Sequence, residues 1–151
     1  MPTAVRDGSL MVANRLSELP RVARWIHAWA EHNRVPREAA DRLDLCSTEL
    51  VTNIVSHAYD DQGTGHQIRL TLRREGDVLA LEIEDDGRPF NPLEVDAPPV
   101  ATSLDDVPIG GCGVAIVRRV SDGLRYERAE GRNRCTVLQR CSVDEPPERD
   151  A

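Results

Sequence analysis

Apolar residues recur along the chain in two periods, one typical of helices and one typical of strands. Residues 18–33 carry apolar side chains at helical spacing and therefore predict an amphipathic helix. These side chains are Val22, Trp25, Ile26 and Trp29. A longer helix is predicted over 36–59, where Pro36 suits a first helical turn. Its apolar stripe, with spacings of three and four, consists of Ala39, Leu43, Cys46, Leu50, Ile54 and Ala58.

Alternating apolar and polar residues predict the strands. Within 68–72 and within 79–83, every second residue is apolar, so each run has one apolar face. The intervening "REGD" indicates a hairpin. Two more strands are predicted at 124–130 and 133–141, and residues 4–13 have a weaker strand pattern.

The remaining segments complete an α+β order. Residues 60–66 are turn-rich, and a helix is predicted at about 112–122. Between them, 87–111 is rich in Gly, Pro and Asp without periodicity, and a loop of that length is often a functional lid. We therefore predict one domain over 1–141, a two-layer sandwich whose mixed, mainly antiparallel sheet carries the helices on one face. The polar segment 142–151 is predicted to be a disordered tail.

Charge and composition exclude several kinds of protein. The net charge is -7, from 26 acidic and 19 basic residues, which argues against a nucleic-acid-binding surface. All the basic residues are arginines, so neither a Schiff-base lysine nor a Walker A phosphate loop is possible. The four cysteines form no C-x-x-C pair, and both Cys46 and Cys135 fit small buried apolar positions. No apolar window reaches a membrane span or a signal peptide, so we expect a reduced cytoplasmic protein without membrane contact.

Three polar residues interrupt the long predicted helix at intervals of four. Glu49, Asn53 and His57 occur in "ELVTNIVSH", and residues four apart share a helix face. One interpretation is an exposed polar edge with hydrogen bonds inside the helix. The other is a helix lining a pocket, with Glu49 as a proton acceptor and Asn53 as an oxygen ligand suited to Mg²⁺. For His57 we expect a packed side chain that supports the helix.

Two further motifs frame a possible site. In "LEIEDDGRPFNP", Asp85 continues the parity of Leu79, Leu81 and Ile83. If the strand reaches Asp85, its carboxylate points toward the core and needs a donor, such as the exocyclic amine of adenine. Alternatively, the strand ends at 84 and Asp85 caps a turn. In "GGCGVAIVRRV", Gly110, Gly111 and Gly113 precede or begin a helix, which is compatible with phosphate binding but weak evidence alone.

The order and spacing of these motifs resemble a known family. Over about residues 15–140 the chain resembles the ATP-binding domain of gyrase-type topoisomerases, sensor histidine kinases and anti-sigma-factor serine kinases. "ELVTNIVSHAY" is similar to its N box, "EDDGRPFNP" to its G1 box, "GGCGVAIVRRVSD" to its G2 box and "YERAEGRNRCTVLQR" to its closing hairpin. The features "HAY" and "DDGRPFNP" are most similar to the anti-sigma serine-kinase branch of bacterial partner-switching systems.

The resemblance implies roles for matching residues at the base end of a nucleotide. It implies a Bergerat-type fold that binds ATP and Mg²⁺. Asp85 would accept a hydrogen bond from the adenine amine, and Gly87 would let the base approach the backbone. Thr136 would supply a hydroxyl near Asp85.

Further roles are implied at the phosphate end. Asn53 would hold the Mg²⁺ that bridges the phosphates, and Gly111 and Gly113 would shape the end of the lid. Glu49 would be the general base for in-line phosphoryl transfer.

The chain departs from the family pattern at three positions. Pro89 replaces the second G1 glycine, Ile109 replaces the first G2 glycine, and Ser56 stands where histidine kinases usually carry a lysine. These replacements predict fewer phosphate contacts.

Two functions follow as expectations. The first is a serine kinase and anti-sigma factor that phosphorylates a STAS-domain antagonist and sequesters a sigma factor or an equivalent partner. The second is a non-catalytic module in which nucleotide selects the binding partner. Homodimerisation is common in the family and is expected from the resemblance alone.

Overall fold

The computed structural model describes residues 7–59, 65–94 and 112–141 as an alternation of strands and helices. Short 3-10 turns lie at Leu16–Glu18 and Pro92–Glu94. The larger elements are β1 Gly8–Ala13, α1 Leu19–His32, α2 Arg37–His57, β2 Gln67–Glu75, β3 Val78–Asp85, α3 Cys112–Val120, β4 Gly123–Ala129 and β5 Arg132–Arg140.

The five described strands form one sheet in the order β1-β2-β3-β5-β4. Every described pairing is antiparallel. Strand β5 therefore lies between β3 and the edge strand β4, and this order brings the end of β3 beside the start of β5. The predicted α+β class with helices on one face of a mainly antiparallel sheet is confirmed.

Proline and hydrophobic periodicity together set the helix limits. Helix α1 has Pro20 in its first turn, where the missing N–H costs nothing. Helix α2 begins directly after Pro36, whose φ of -58° suits a helix start. The predicted helices at 18–33 and 36–59 thus correspond to α1 and α2, each shortened by one or two residues at its ends.

The core lies between the helices and one face of the sheet. Alternate residues of β2 and β3 are buried on this face, among them Leu70, Leu72 and Leu81. They pack with the apolar stripes of α1 and α2 in one continuous cluster. Cys46 and Cys135 are free and buried in it, as the sequence predicted. Burying these aliphatic side chains is the main stabilising contribution of the fold.

The opposite face of the sheet carries charged cross-strand pairs. Arg134 donates to Glu84 across β5 and β3 at 2.9 Å and also lies 3.7 Å from Glu82. Exposed pairs of this kind contribute little stability individually, but they keep this face polar. Among the described helices, none is long and apolar enough to span a membrane.

Most predicted element limits hold within a few residues. Strand β3 extends to Asp85, and the predicted strand at 4–13 begins only at Gly8 within the described part. The predicted turn at 60–66 and loop at 87–111 fall mostly outside the described residues, and the predicted tail at 142–151 falls wholly outside them. The limits of the domain and of its tail therefore stay predictions.

Two leucines on α2 test which side of this helix contributes stability. Leu43 is fully buried, whereas Leu45 is 40% exposed. We expect Leu43→Ala to lower the free energy of unfolding by about 2–5 kcal/mol, because it leaves a cavity in the core. Leu45→Ala is the matched control and should change it by about 0.5 kcal/mol or less. Urea unfolding of both variants makes the comparison, and equal losses would contradict the assigned packing.

Candidate nucleotide-binding site

The carboxylate of Asp85 occupies the end of β3 and is almost completely buried, with 4% of the residue exposed. Its Oδ1 accepts hydrogen bonds from the backbone N–H of Gly87 at 2.9 Å and from Nδ2 of Asn133 at 3.0 Å. The two sequence interpretations of Asp85 therefore both hold in part. The strand does reach Asp85 and turns it toward the core side, and the same carboxylate also caps the following turn.

Burial dominates the electrostatics of Asp85. Removal from water raises the pKa of its carboxyl, while the hydrogen bonds from Asn133 and Gly87 and the positive charge of Arg128 act to lower it. The net direction is upward. Two N–H donors thus offset only part of the desolvation cost of this group.

Asn133 was not identified from the sequence as a site residue. It is the first buried position of β5, and its Cα pairs with that of Asp85. The signal that could have found it is register: an antiparallel partner at this position faces the same side of the sheet as Asp85. An amide is a neutral side chain that can donate to a buried carboxylate there.

Thr136 does not lie where the resemblance placed it. It pairs with Glu82 and lines a broad cleft on the charged face of the sheet. Asp85 and Asn133 lie on the opposite face, because successive strand residues alternate sides. The predicted hydroxyl near Asp85 is therefore wrong, and Cys135 and Asn133 are the β5 residues on that side.

Asn53 and Asp85 line the same pocket between α2 and the sheet. The space in it that a water-sized molecule can reach is about 30 Å³, far less than a typical ligand site. Phe90 and Pro92, which follow β3, form part of its wall. The lining side chains are mostly apolar and comprise Leu50, Asn53, Ile54, Ala58, Ile83, Asp85, Phe90, Pro92, Tyr126, Asn133 and Cys135.

The segment that covers this pocket is attached to both layers. The backbone N–H of Phe90 donates to Oδ1 of Asn133 at 3.4 Å. Arg118 of α3 donates to the carbonyl oxygens of Pro92, at 3.2 Å, and of Leu93. The ring of His57 lies 6.4 Å from that of Phe90 in a stacked arrangement. His57 is exposed, so it is not buried in the core as a packed histidine would be, although its ring contacts Phe90.

Glu49 lies one helical turn before Asn53, against the beginning of α3, and does not line this pocket. A Cβ added to Gly113 would lie 2.5 Å from Oε2 of Glu49, so the glycine allows α3 to approach this carboxylate. Within the described residues Glu49 makes no hydrogen bond or salt bridge, and its lone pairs are available to a hydroxyl. Gly111, the other predicted glycine of this region, lies outside the described residues.

The end of α2 packs so closely against position 87 that a glycine is required there. A Cβ at this position would lie 2.5 Å from the carbonyl oxygen of Ala58 and 2.6 Å from its Cβ. The same carbonyl accepts a hydrogen bond from the N–H of Arg88 at 2.9 Å. The turn after β3 therefore docks directly on the last turn of the helix that carries Asn53. The predicted approach of a base to Gly87 stays a prediction.

A second contact joins these two segments. The hydroxyl of Tyr59 donates to Oδ1 of Asp86 at 2.8 Å, and its ring stacks on His66 at 3.9 Å. Burial and this hydrogen bond raise the pKa of the Tyr59 hydroxyl, so it remains a donor at neutral pH. In the sequence, "HAY" carried only the family resemblance, and no local pattern indicated this contact.

The donor set around Asn53 fits Mg²⁺ only in combination with a nucleotide. In the described ranges no group of three or more His, Cys, Asp or Glu side chains could hold a metal ion. Mg²⁺ is commonly bound through one or two protein oxygens plus substrate phosphates and water. The single amide oxygen of Asn53 matches that mode.

Comparison with known proteins identifies the family. The family model described as the histidine kinase-like ATPase domain matches residues 12–139. The chain belongs to this family. It is 36% identical over 113 residues to the serine/threonine-protein kinase BtrW of Bordetella bronchiseptica, covering 75% of this chain and 79% of that protein. It is 24% identical over 103 residues to the anti-sigma F factor of Clostridium acetobutylicum, covering 68% and 71%.

Solved structures of the family share the fold. The RsbU and RsbW domains of a Mycobacterium tuberculosis protein match with a TM-score of 0.64 at 12% identity, covering 89% of this chain and 32% of that one. The catalytic domain of the histidine kinase ThkA matches with a TM-score of 0.52 at 13% identity, covering 90% and 96%. Sequence thus shows a histidine kinase-like ATPase domain, and the solved structures show the same fold.

The docking of Gly87 on Ala58 gives a testable expectation. We expect Gly87→Ala to destabilise the fold by about 1–3 kcal/mol, because the added methyl group meets backbone atoms that cannot move aside without shifting the helix. Gly123→Ala is the matched control, since its Cβ would meet side-chain atoms of Leu138, the nearest being the flexible Cδ1 at 3.3 Å. Thermal or urea unfolding measures both. A Gly87→Ala protein as stable as the Gly123→Ala protein would contradict the docking.

Asp85→Asn should reveal the cost of burying the charge. Since the folded-state pKa of Asp85 is raised, the folded protein binds this proton more tightly than the unfolded chain does. The ionised group therefore weakens the fold increasingly as pH rises from its unfolded pKa of about 4 to its raised folded value. The amide that replaces the carboxyl group in this variant keeps an oxygen for both N–H donors without the charge.

We expect the free energy of unfolding of Asp85→Asn, relative to the natural protein, to increase across that pH interval and then level off. Urea unfolding at several pH values measures it. Asp7→Asn, an exposed site before β1, serves as the control and should show no such gain. An Asp85→Asn protein that is less stable than the natural one at pH 8 would show that the buried charge is not the dominant cost.

Proposed function

We propose that this chain is a protein serine kinase and anti-sigma regulator of the partner-switching type. With ATP bound, it phosphorylates a serine of a STAS-domain antagonist, and it sequesters a sigma factor or an equivalent partner. The observation that carries this proposal is the arrangement of α2, which presents Asn53 to the pocket of Asp85 and Glu49 to the start of α3. Relatives named as a serine/threonine-protein kinase and as an anti-sigma F factor support it.

Asp85 and Asn53 bind the nucleotide in this proposal. Asp85 accepts a hydrogen bond from the exocyclic amine of adenine, in a pocket whose other walls are mostly apolar. Asn53 supplies an oxygen ligand to Mg²⁺, which neutralises charge on the phosphates when it is bound. The N-terminal turn of α3, with Gly113, lies on the phosphate side, where helix N–H groups favour an anion.

Glu49 acts on the attacking group. The serine hydroxyl of the antagonist is deprotonated by the Glu49 carboxylate as its oxygen attacks the γ-phosphorus in line. The bond between the γ-phosphorus and the bridging oxygen breaks, the phosphoryl group passes to serine, and ADP leaves. The proton stays on Glu49 until solvent removes it. Positioning of these groups provides most of the acceleration in such transfers.

The closed pocket favours a second candidate function. Phe90 and Pro92 leave space for little more than water beside Asp85, and Arg118 attaches their segment to α3. A nucleotide must therefore displace this segment to enter. If that displacement alone selects the partner, the chain is a nucleotide-gated binding module without turnover. In either case, we place the protein in the cytoplasm with its proposed partners.

Phosphotransfer with a matched pair of glutamate variants distinguishes the candidates. The protein is incubated with γ-labelled ATP, Mg²⁺ and the STAS-domain protein encoded nearest to it. We expect Glu49→Gln to reduce label on the STAS serine by at least about 100-fold, because the general base is lost. Nucleotide binding, measured in parallel by calorimetry, should be retained. Glu38→Gln, in the exposed first turn of α2, is the control and should transfer normally.

Full transfer by Glu49→Gln would show that Glu49 is not the base. No label from the natural protein, with ATP binding confirmed, would instead support the nucleotide-gated module.

A further inference from the structure

Asn133 has an unusually complete set of hydrogen bonds for a single side chain. Its Nδ2 donates to Oδ1 of Asp85 at 3.0 Å and to the carbonyl oxygen of Arg88 at 2.8 Å. Its Oδ1 accepts from the hydroxyl of Tyr126 at 2.5 Å, from a guanidinium N–H of Arg128 at 3.1 Å and from the backbone N–H of Phe90 at 3.4 Å. The residue is 5% exposed. Both ends of the amide are therefore used inside the protein.

These contacts fix the orientation of the amide. The oxygen of Asn133 faces donors, and its nitrogen faces acceptors. A flipped amide would place N–H groups against the Arg128 guanidinium and an oxygen against the Asp85 carboxylate, and it would lose the bonds to both. Asp85 Oδ1 thus always receives an N–H from Asn133.

The fixed amide leaves Asp85 with one oxygen for a ligand. Oδ1 already accepts from Gly87 and Asn133, whereas Oδ2 accepts no hydrogen bond from any residue in the described ranges. Asp85 lines the pocket, so Oδ2 is the acceptor that remains for a bound base. An acceptor of this kind pairs with an amine and is repelled by a keto oxygen.

We propose that Asn133 is a positioning residue for base recognition: by holding Oδ1 of Asp85, it makes Oδ2 a fixed acceptor that selects a base with an exocyclic amine over one with a keto oxygen at the same place. This inference rests on the proposed nucleotide binding and deepens it. Asn133 acts through Asp85 and need not touch the base itself.

The test compares ATP with ITP, whose base carries a keto oxygen in place of the amine. Binding is measured by calorimetry without Mg²⁺, so that metal coordination by Asn53 does not contribute to the measured affinities. The natural protein should prefer ATP by at least about tenfold, as expected when a buried polar group would be left unpaired. Asn133→Asp should weaken ATP binding about tenfold or more at pH 8, because it places a second carboxylate where an N–H now lies 3.0 Å from Oδ1 of Asp85.

A pH series separates positioning from a general structural defect. As the pH is lowered, the two adjacent carboxyl groups of the Asn133→Asp variant should take up one proton, recreate an O–H donor to Asp85 and recover ATP affinity. The other charged or titratable groups that face this pair are Asp86, Arg128, Tyr126, Tyr59 and Cys135. These groups are present in both proteins. The difference in the pH dependence of ATP affinity between the variant and the natural protein therefore reports on residues 85 and 133 alone.

Two further variants keep the test decisive. Asn133→Ser removes the amide donor without adding charge and should reduce the preference for ATP over ITP at every pH. This variant keeps the test possible if Asn133→Asp fails to fold. Thr136→Val, on the same strand but the opposite face, should keep both affinities.

Equal weakening of ATP and ITP in both Asn133 variants, with no recovery at low pH, would overturn the inference and leave Asn133 a structural residue. Unchanged preference for ATP would overturn it as well. Natural protein that discriminates the two nucleotides but transfers no phosphoryl group would overturn the proposed kinase and leave this inference standing. Absence of ATP binding would overturn both.

Discussion

The buried carboxylate of Asp85 is the constraint on which the candidate site depends. An ionised group that is 4% exposed must be compensated locally. Its compensation comes from two directions, the turn after β3 through Gly87 and the neighbouring strand through Asn133. Each donor fixes part of the surrounding backbone, so this buried carboxylate also defines the geometry at its end of the pocket. The unsatisfied remainder of the carboxylate is then available for a ligand.

This arrangement also joins the two layers of the fold. The turn that donates to Asp85 packs through Gly87 on the carbonyl of Ala58. Tyr59 adds a second bond from the end of α2 to Asp86. The position of the helix that carries Asn53 relative to the strand that carries Asp85 is thus fixed by these direct contacts as well as by the apolar core. A shift of α2 in the core would therefore directly change the position of Asn53 relative to Asp85.

The sequence predicted the fold well because its signals were local. Periodicity placed α1, α2 and the hairpin of β2 and β3, and alternation placed β5. It also brought Asn53 and Asp85 to one pocket, where the structure has both, since each lies in a motif that is continuous in the chain; their roles stay predictions. The prediction failed at Thr136. Alternate residues of a strand face opposite sides of the sheet, so an alignment error of one residue moves a side chain to the other face. Asn133 was missed for the same reason, because its role depends on pairing between β3 and β5, which no local pattern contains.

The spacing within α2 explains how one helix can present both groups proposed for the phosphate end of a nucleotide. Residues four apart lie about 6 Å apart along a helix axis. Asn53, in the pocket of Asp85, and Glu49, beside Gly113 of α3, are separated by this one turn. A metal ligand and a proton acceptor at that separation suit groups on successive parts of a phosphate chain. Because both positions belong to a single rigid helix, their separation is set by backbone geometry and does not depend on how the segment around Phe90 is placed. That segment forms a wall of the pocket, whereas α2 alone fixes the separation of Asn53 and Glu49.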